Sequence, residues 1–244
     1  MSDNRLFWLT TSDSPDDFPD VKQALTEPDG LLAAGGDLSK SRLLAAYRAG
    51  IFPWYEEGQP ILWWSPEPRC ILRPSELHVS RRLRQYVRAS NATLSFNRAF
   101  DQVIRACAEH RKSQRGTWIT VAMMQAYEAL HTDGWAHSVE VWHDDELIGG
   151  LYGLCIGKVF FGESMFSAKT NASKLALIGL VRHLLDHDFE IIDCQVVSPH
   201  LTSLGATTIA RDEFTRILHS ACKSEAPHSH WPHEQIAISK LLRN

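Results

Sequence analysis

Between residues 136 and 197 the spacing of apolar side chains changes period twice, and nothing else in the 244-residue chain restricts the fold as strongly. Val139 and Val141, a polar turn at His143-Asp144-Asp145-Glu146, then Leu147 to Cys155, Gly157, and Val159 to Gly162 read as three antiparallel strands joined by hairpins. From Asn171 to Asp186 the period becomes helical, with Leu177, Leu180, Val181 and Leu184 on one face, and Glu190 to Val197 returns to an apolar strand. A meander, a helix and a further strand can cover their apolar sides together only as a mixed sheet carrying helices. The chain is therefore expected to be α+β.

Upstream, Ser39 or Lys40 to Ala49 should form a helix, capped by Ser39, buried through Leu43, Leu44 and Tyr47, and stopped by Gly50. Ser80 to Arg88 reads as a basic helix with Leu83 and Val87 inward, and 97–112 as another. Thr120 to His131 forms a third, with Met123, Met124, Tyr127 and Leu130 toward the core, and Phe214 to Cys222 lies in the last helix. Residues 10–37, rich in Asp, Pro, Thr and Gly, read as loop. The segment Ile51 to Pro66 places Trp54, Trp63 and Trp64 within eleven residues. With Pro66 and Pro68 it suggests a boundary: a small N-terminal domain over 1–68 and a larger one over 69–244.

Hydrophobic residues at 44% and charged ones at 22% are ordinary for a folded chain and exclude disordered or fibrous classes. No run approaches eighteen apolar residues and the first twenty residues lack a leader pattern, so a cytoplasmic protein without a membrane partner is expected. Five scattered cysteines without a CxxC pair argue for free thiols rather than a disulfide framework or a zinc site. The net charge of −4 is unevenly distributed. Residues 69–115 carry 11 basic and 3 acidic side chains, while each flanking block is net acidic. Such a block is either a solvated helical face or a patch for phosphates.

Three groups could carry chemistry. Glu163, within Phe160-Phe161-Gly162-Glu163-Ser164-Met165, is a carboxylate among apolar neighbours. It either caps the following helix or pairs with an Arg, or else waits for a cationic substrate group. In Ile191 to Val197, alternation sends Asp193 and Gln195 to one face of an apolar strand and Cys194 to the other. Two polar groups on a central strand need partners, whereas Cys194 reads as core. The stripe of Leu177 and Leu180, with Met165 and Leu151, is either core or a pocket for an apolar side chain. His228, His230 and His233 could suggest a metal tract, but no Cys or carboxylate completes it, and a surface tail is the plainer expectation. The order of elements resembles the GNAT acyltransferase fold, yet the glycine-rich loop that holds coenzyme A pyrophosphate is not found.

Nine segments in register extend this picture. Gly50 to Tyr55, Ile61 to Pro66, Gly116 to Thr120, His137 to Trp142, Glu146 to Gly150, Gly162 to Ser167, Asn171 to Lys174, Ile192 to Val196 and Ser203 to Ala206 together resemble the bacterial leucyl/phenylalanyl-tRNA–protein transferase family over about 28–214. The resemblance implies a GNAT-like C-terminal domain and transfer of Leu, and also Phe or Met, from aminoacyl-tRNA to proteins with N-terminal Arg or Lys, marking them for N-end rule degradation. It implies no cofactor and no metal, because an aminoacyl ester is already activated. It also implies roles. Asp193, Gln195 and Glu163 would be catalytic, Trp54 and Trp118 would stack on the terminal adenosine, and Leu151, Met165, Leu177 and Leu180 would form the aminoacyl side-chain pocket. Arg81, Arg82, Arg84 and Arg88 would hold the tRNA backbone. A noncatalytic RNA-binding module would use the same basic helix and tryptophans, but would transfer nothing.

Overall fold

A computed structural model describes residues 6–115, 118–224 and 227–242, with the backbone alone over 111–115; Gly116 and Thr117, part of one resembling segment, lie outside the described residues. The elements in order are β1 (Phe7–Leu9), β2 (Leu31–Gly35), α1 (Lys40–Arg48), β3 (Phe52–Pro53), β4 (Leu62–Trp64), β5 (Arg69–Leu72) and α2 (Arg81–Ala89). Then come β6 (Thr93–Phe96), α3 (Phe100–Arg115), α4 (Val121–Thr132), β7 (Ala136–His143), β8 (Glu146–Ile156) and β9 (Val159–Ser167). The chain closes with α5 (Ala172–Asp186), β10 (Ile191–Gln195), α6 (Pro199–Thr202), β11 (Thr207–Ile209), α7 (Arg211–Ala221) and β12 (Ile236–Ala237). Among the described residues no helix is long and apolar enough to cross a membrane.

The helix starts follow local chemistry. Side chains of Ser39, Ser80 and Thr120 accept from the backbone N–H groups of Arg42, Leu83 and Met123 at the heads of α1, α2 and α4. The meander β7-β8-β9 forms as the alternation requires, and α5 crosses from β9 to β10, which pairs parallel to β9. These strands sit in an eight-stranded mixed sheet of order β11-β5-β10-β9-β8-β7-β6-β12. A second, four-stranded sheet runs β1-β2-β4-β3. The fold is thus α+β, a mixed sheet flanked by helices with an N-terminal sheet beside it.

Two layers of core cover the large sheet. On one face α1, α3, α4 and α7 bury Tyr47, Ile104, Tyr127 and Phe214 in a cluster that also contains Trp63 and Leu32 of the N-terminal sheet. Apolar packing therefore runs uninterrupted across residue 68. On the other face α2 and α5 bury Leu83, Val87, Leu177 and Leu180 against Leu151 and Leu94. Two glycines let α5 sit close: a Cβ on Gly149 would come 2.4 Å from the Cβ of Ala172, and one on Gly179 would come 2.0 Å from Cδ1 of Leu94. The region 10–37 contains β2 and is tied down by Arg42, which is 1% exposed. Its guanidinium bonds Asp37 and the carbonyls of Thr10, Asp13 and Ser14.

Candidate active site

The parallel pair β9 and β10 is paired for only three residues, Val159 with Ile191, Phe160 with Ile192 and Phe161 with Asp193. Beyond them β9 continues along β8, while β10 turns toward β5 through a bulge that leaves Cys194 extra and holds Gln195 in left-handed backbone at φ 62°. The gap between the diverging strands opens into a cavity of about 420 Å³. Glu163, Asp193 and Gln195 line it, and among the described residues the first two are its only carboxylates.

A second bulge sets the orientation of the site. Tyr152 opposes Ser164 but Gly153 opposes Gly162, so Glu163 is the additional residue in β9. Strict alternation would send Glu163 and Met165 to one face. The bulge instead leaves Glu163 toward α1 and α4 and carries Met165 to the α5 side, opposite Leu151. One irregularity thereby gives the cavity a polar wall and an apolar wall. Leu151, Met165, Leu177 and Leu180 form the apolar one.

Glu163 is 5% exposed. Its Oε1 accepts from the Tyr47 hydroxyl at 2.7 Å and from Gln195 Nε2 at 2.8 Å, and its Oε2 from the Tyr127 hydroxyl at 3.0 Å. The two tyrosine hydroxyls also bond each other. Three oxygen–oxygen contacts therefore close a ring, and the two phenols carry only two protons. The ring is complete when Glu163 holds the third. The electrostatics agree: burial, aided by the charge of Asp193, raises Glu163 to about 7 against the three hydrogen bonds that lower it. Burial first, and then the Glu163 charge, hold both phenols well above their ordinary range, so they stay protonated.

Asp193 is wholly buried and its carboxylate is fully engaged. Arg69 grips it with Nε on Oδ1 at 2.8 Å and Nη2 on Oδ2 at 2.7 Å, and the Gln195 backbone N–H donates to Oδ1 at 2.9 Å. Arg69 itself lies over the rings of Phe52 and Phe214 and donates to the Gly50 carbonyl. Asp193 and Gln195 do not project side by side as alternation suggests. One faces Arg69 and the other faces Glu163, with the bulge as the cause. A bond with Cys70 and burial keep the Cys194 thiol well above its ordinary range, which suits a packing residue and not a nucleophile.

At the mouth, Trp54, 42% exposed, and Trp118 line the same cavity. Trp63 is core instead, and Trp64 packs on Trp54 and donates to its carbonyl. An open cleft lined by His110, Ser167, Asn171, Lys174 and His200 adjoins the cavity, sharing His110, Met165 and His200 with it. Helix α2 carries Arg81, Arg82, Arg84 and Arg88 on its exposed side, outside the cavity, and its Tyr86 hydroxyl donates to the Thr170 carbonyl near that cleft. Sequence reasoning missed Tyr47, Tyr127 and Arg69. The signal for the tyrosines is that a buried phenol needs a hydrogen-bond partner.

A family model described as leucyl/phenylalanyl-tRNA protein transferase matches residues 71–219, and one for the N-terminal domain of the same transferase matches residues 36–67. The chain is 57% identical over 213 residues, 87% of its length and 93% of the other, to the leucyl/phenylalanyl-tRNA–protein transferase of Pseudomonas aeruginosa. It is 56% identical over 215 residues to that of Chromohalobacter salexigens, covering 88% of this chain and 84% of that protein. A solved aminoglycoside acetyltransferase from a soil metagenomic sample superposes with a TM-score of 0.36 at 9% identity, over 59% of this chain and 97% of that one.

Proposed function

The chain belongs to the leucyl/phenylalanyl-tRNA protein transferase family, aminoacyltransferases that move leucine or phenylalanine from tRNA to protein, and on that premise we propose how its own residues perform the transfer. The acceptor is the α-amine of a protein beginning with Arg or Lys. The donor is Leu-, Phe- or Met-tRNA, and the setting is the cytoplasm. What supports the reading is that nine residues implicated by sequence, from Trp54 to Gln195, line one cavity at the gap between β9 and β10.

The aminoacyl side chain enters the wall of Leu151, Met165, Leu177 and Leu180. Discrimination there rests on shape and is modest, because one methylene is worth only about 1–3 kcal/mol. The terminal adenosine stacks on Trp54 and Trp118, and the arginines of α2 take the tRNA backbone beyond the cleft. We assign Trp54 and the α1 framework with Tyr47 to the unit 1–68, and Trp118, α4 and the residues Glu163, Asp193 and Gln195 to the unit 69–244.

In the reaction the α-amine nitrogen bonds to the ester carbonyl carbon, the bond to the ribose oxygen breaks, the amine gives up a proton and the ribose oxygen gains one. Most of the acceleration comes from holding the two reactants together, a contribution of up to roughly 7–11 kcal/mol. Gln195 aims the amine. Its amide N–H is committed to Glu163, which turns the amide oxygen toward an incoming donor. An amide oxygen is far too weak a base to keep the proton. Glu163, poised near 7, is suited to take it, and doing so completes the ring with Tyr47 and Tyr127. A cationic first residue beside Glu163 favours its ionised form, so the acceptor that fits also arms the base. Asp193 and Arg69 act through Gln195 as positioning residues.

The test is direct. The protein is mixed with labelled Leu-tRNA and peptides beginning with Arg, Lys or Ala. Mass gain confined to the first two is expected. Binding of tRNA without any transfer would overturn the assignment in favour of an RNA-binding module.

A further inference from the structure

Of the C-terminal histidines, His230 and His233 are exposed as a surface tail would have them, but His228 is not. His228 and Trp231 fold back onto the end of α5, where His183 and His187 stand four residues apart, and one ring nitrogen from each of His183, His187 and His228 lies within 4.8 Å of the other two. The ligands missing from the sequence tract come from a helix some forty residues earlier. We propose that His183, His187 and His228 form a binding site for an imidazole-preferring divalent metal of the zinc class, clamping the C-terminal segment onto α5.

Several features fit a ligand site better than plain packing. His183 is 6% exposed, and its Nε2, like that of His228, is buried without a hydrogen-bond partner in the protein. Buried polar atoms normally find one. The rings are held in place from behind. His183 stacks on Trp231 at 4.4 Å, Trp231 stacks in turn on His137 at 4.1 Å, and Trp231 Nε1 donates to the His228 carbonyl. The Nε2 of His187 meets the His230 carbonyl at 3.1 Å, which makes Nε2 the donor and leaves Nδ1 as the lone pair, the arrangement by which metal-binding imidazoles are oriented. Burial holds His183, at about 3, and His228, at about 4, in the neutral form that ligates.

Tetrahedral zinc with nitrogen ligands at about 2.0–2.1 Å needs those nitrogens roughly 3.4 Å apart, so separations of up to 4.8 Å must contract by up to roughly 1.4 Å. His228 can supply that movement. It lies on an irregular segment that regains regular structure only at Ile236, while His183 is fixed on α5 and His187 caps the end of that helix. The negative end of the α5 dipole favours a cation there. Lys158, whose Nζ donates to the His187 carbonyl, opposes it. Three imidazoles leave the fourth position to water. The site is separate from the aminoacyl chemistry, although Leu177 and Leu180 lie on the same helix, so its test does not depend on transfer.

The full chain is titrated with Zn²⁺ by calorimetry and with Co²⁺ by visible absorption, alongside His187→Gln, His228→Gln and, as a control, His233→Gln. One Zn²⁺ per chain, a rise in Tm, and tetrahedral Co²⁺ bands are expected. Each of the first two variants should bind at least about tenfold more weakly, with the control unchanged. His187 and His228 are only half-buried, so their variants should keep the metal-free Tm; if one does not fold, the other carries the comparison. Absence of binding up to about 1 mM, or equal affinity in all four proteins, would overturn the site.

Discussion

Of the carboxylates buried in the large sheet, Asp193 is paired with Arg69, whereas Glu140 on β7 and Glu163 on β9 have no ion-pair partner among the described contacts and are both pushed above their ordinary range chiefly by burial. Burial therefore does not tell them apart. Their proton supply does. Glu140 accepts from Ser95 Oγ and Ser138 Oγ, both at 2.5 Å, and from the backbone N–H groups of Arg98 and Ala99 at the start of α3. Ser95 is in turn supplied by Trp142 Nε1, so every contact around Glu140 has its own proton. Around Glu163 the Tyr47 and Tyr127 ring is one proton short when the acid is ionised. A saturated acid seals a helix start, whereas an unsaturated one beside a cavity can take up a proton and return it.

The largest effect should come from exchanging the two roles. Glu163→Gln is expected to lower single-turnover Leu transfer by about 10²–10⁴ while leaving urea stability near that of the parent. Glu140→Gln should do the reverse, costing about 1–3 kcal/mol in the urea midpoint with transfer intact in the protein that remains folded. A Glu140→Gln protein that loses transfer while Glu163→Gln keeps it would remove the distinction.

Next in size is the pair behind Gln195. Asp193→Ala leaves the Arg69 guanidinium buried without its partner and should cost about 3–5 kcal/mol of stability. The double variant Arg69→Met with Asp193→Leu should recover most of that loss, since apolar groups of similar size replace a buried ion pair without an unpaired charge. Transfer should stay low in the double variant, because the Gln195 backbone has lost its acceptor. Full recovery of transfer would reduce Asp193 to a structural role.

The comparison also has a pH signature. Glu163 is raised from 4.5 to about 7, which amounts to about 3 kcal/mol. For an acid with a raised folded value, that stability is fully present below 4.5 and is lost as pH climbs through about 7. Parent protein should therefore lose stability between about pH 4 and 8, and Glu163→Gln should lose about 3 kcal/mol less across the same window. Glu140 contributes in the same direction and cancels in the difference. Identical slopes in chemical denaturation would mean that Glu163 is ionised at neutral pH.

What the sequence could convey divides along the same lines. Helix α1 was readable because Ser39 and Gly50 act on their immediate neighbours, and the meander because its alternation is local. Strands β5, β6, β11 and β12 are two to four residues long and exist only through pairing with distant partners, which local pattern does not carry. Glu163 and Gln195 stood out as polar residues in apolar runs. The bulge that aims Glu163 did not, since it is a property of two registers and not of one strand. Arg69 passed for part of a basic block because Asp193 is 124 residues away, and Tyr47 and Tyr127 passed for core because their rings are core while their hydroxyls do the work.

The smallest expected effect separates holding the donor from moving the proton. Trp54 lines the cavity and takes no part in the described hydrogen bonds of the Glu163 ring. Replacing Trp54 with Ala should raise KM for Leu-tRNA by the equivalent of about 1–3 kcal/mol, one stacked base, with kcat nearly unchanged. In both the parent and this variant, kcat/KM for the acceptor peptide should rise with pH through about 7, as a base with the free-protein Glu163 value requires, whereas Glu163→Gln should keep only the later rise of the free α-amine near 8. If the tryptophan variant lost the inflection near 7, stacking and proton transfer would be one device, and the contrast between a saturated and an unsaturated acid would no longer explain the site.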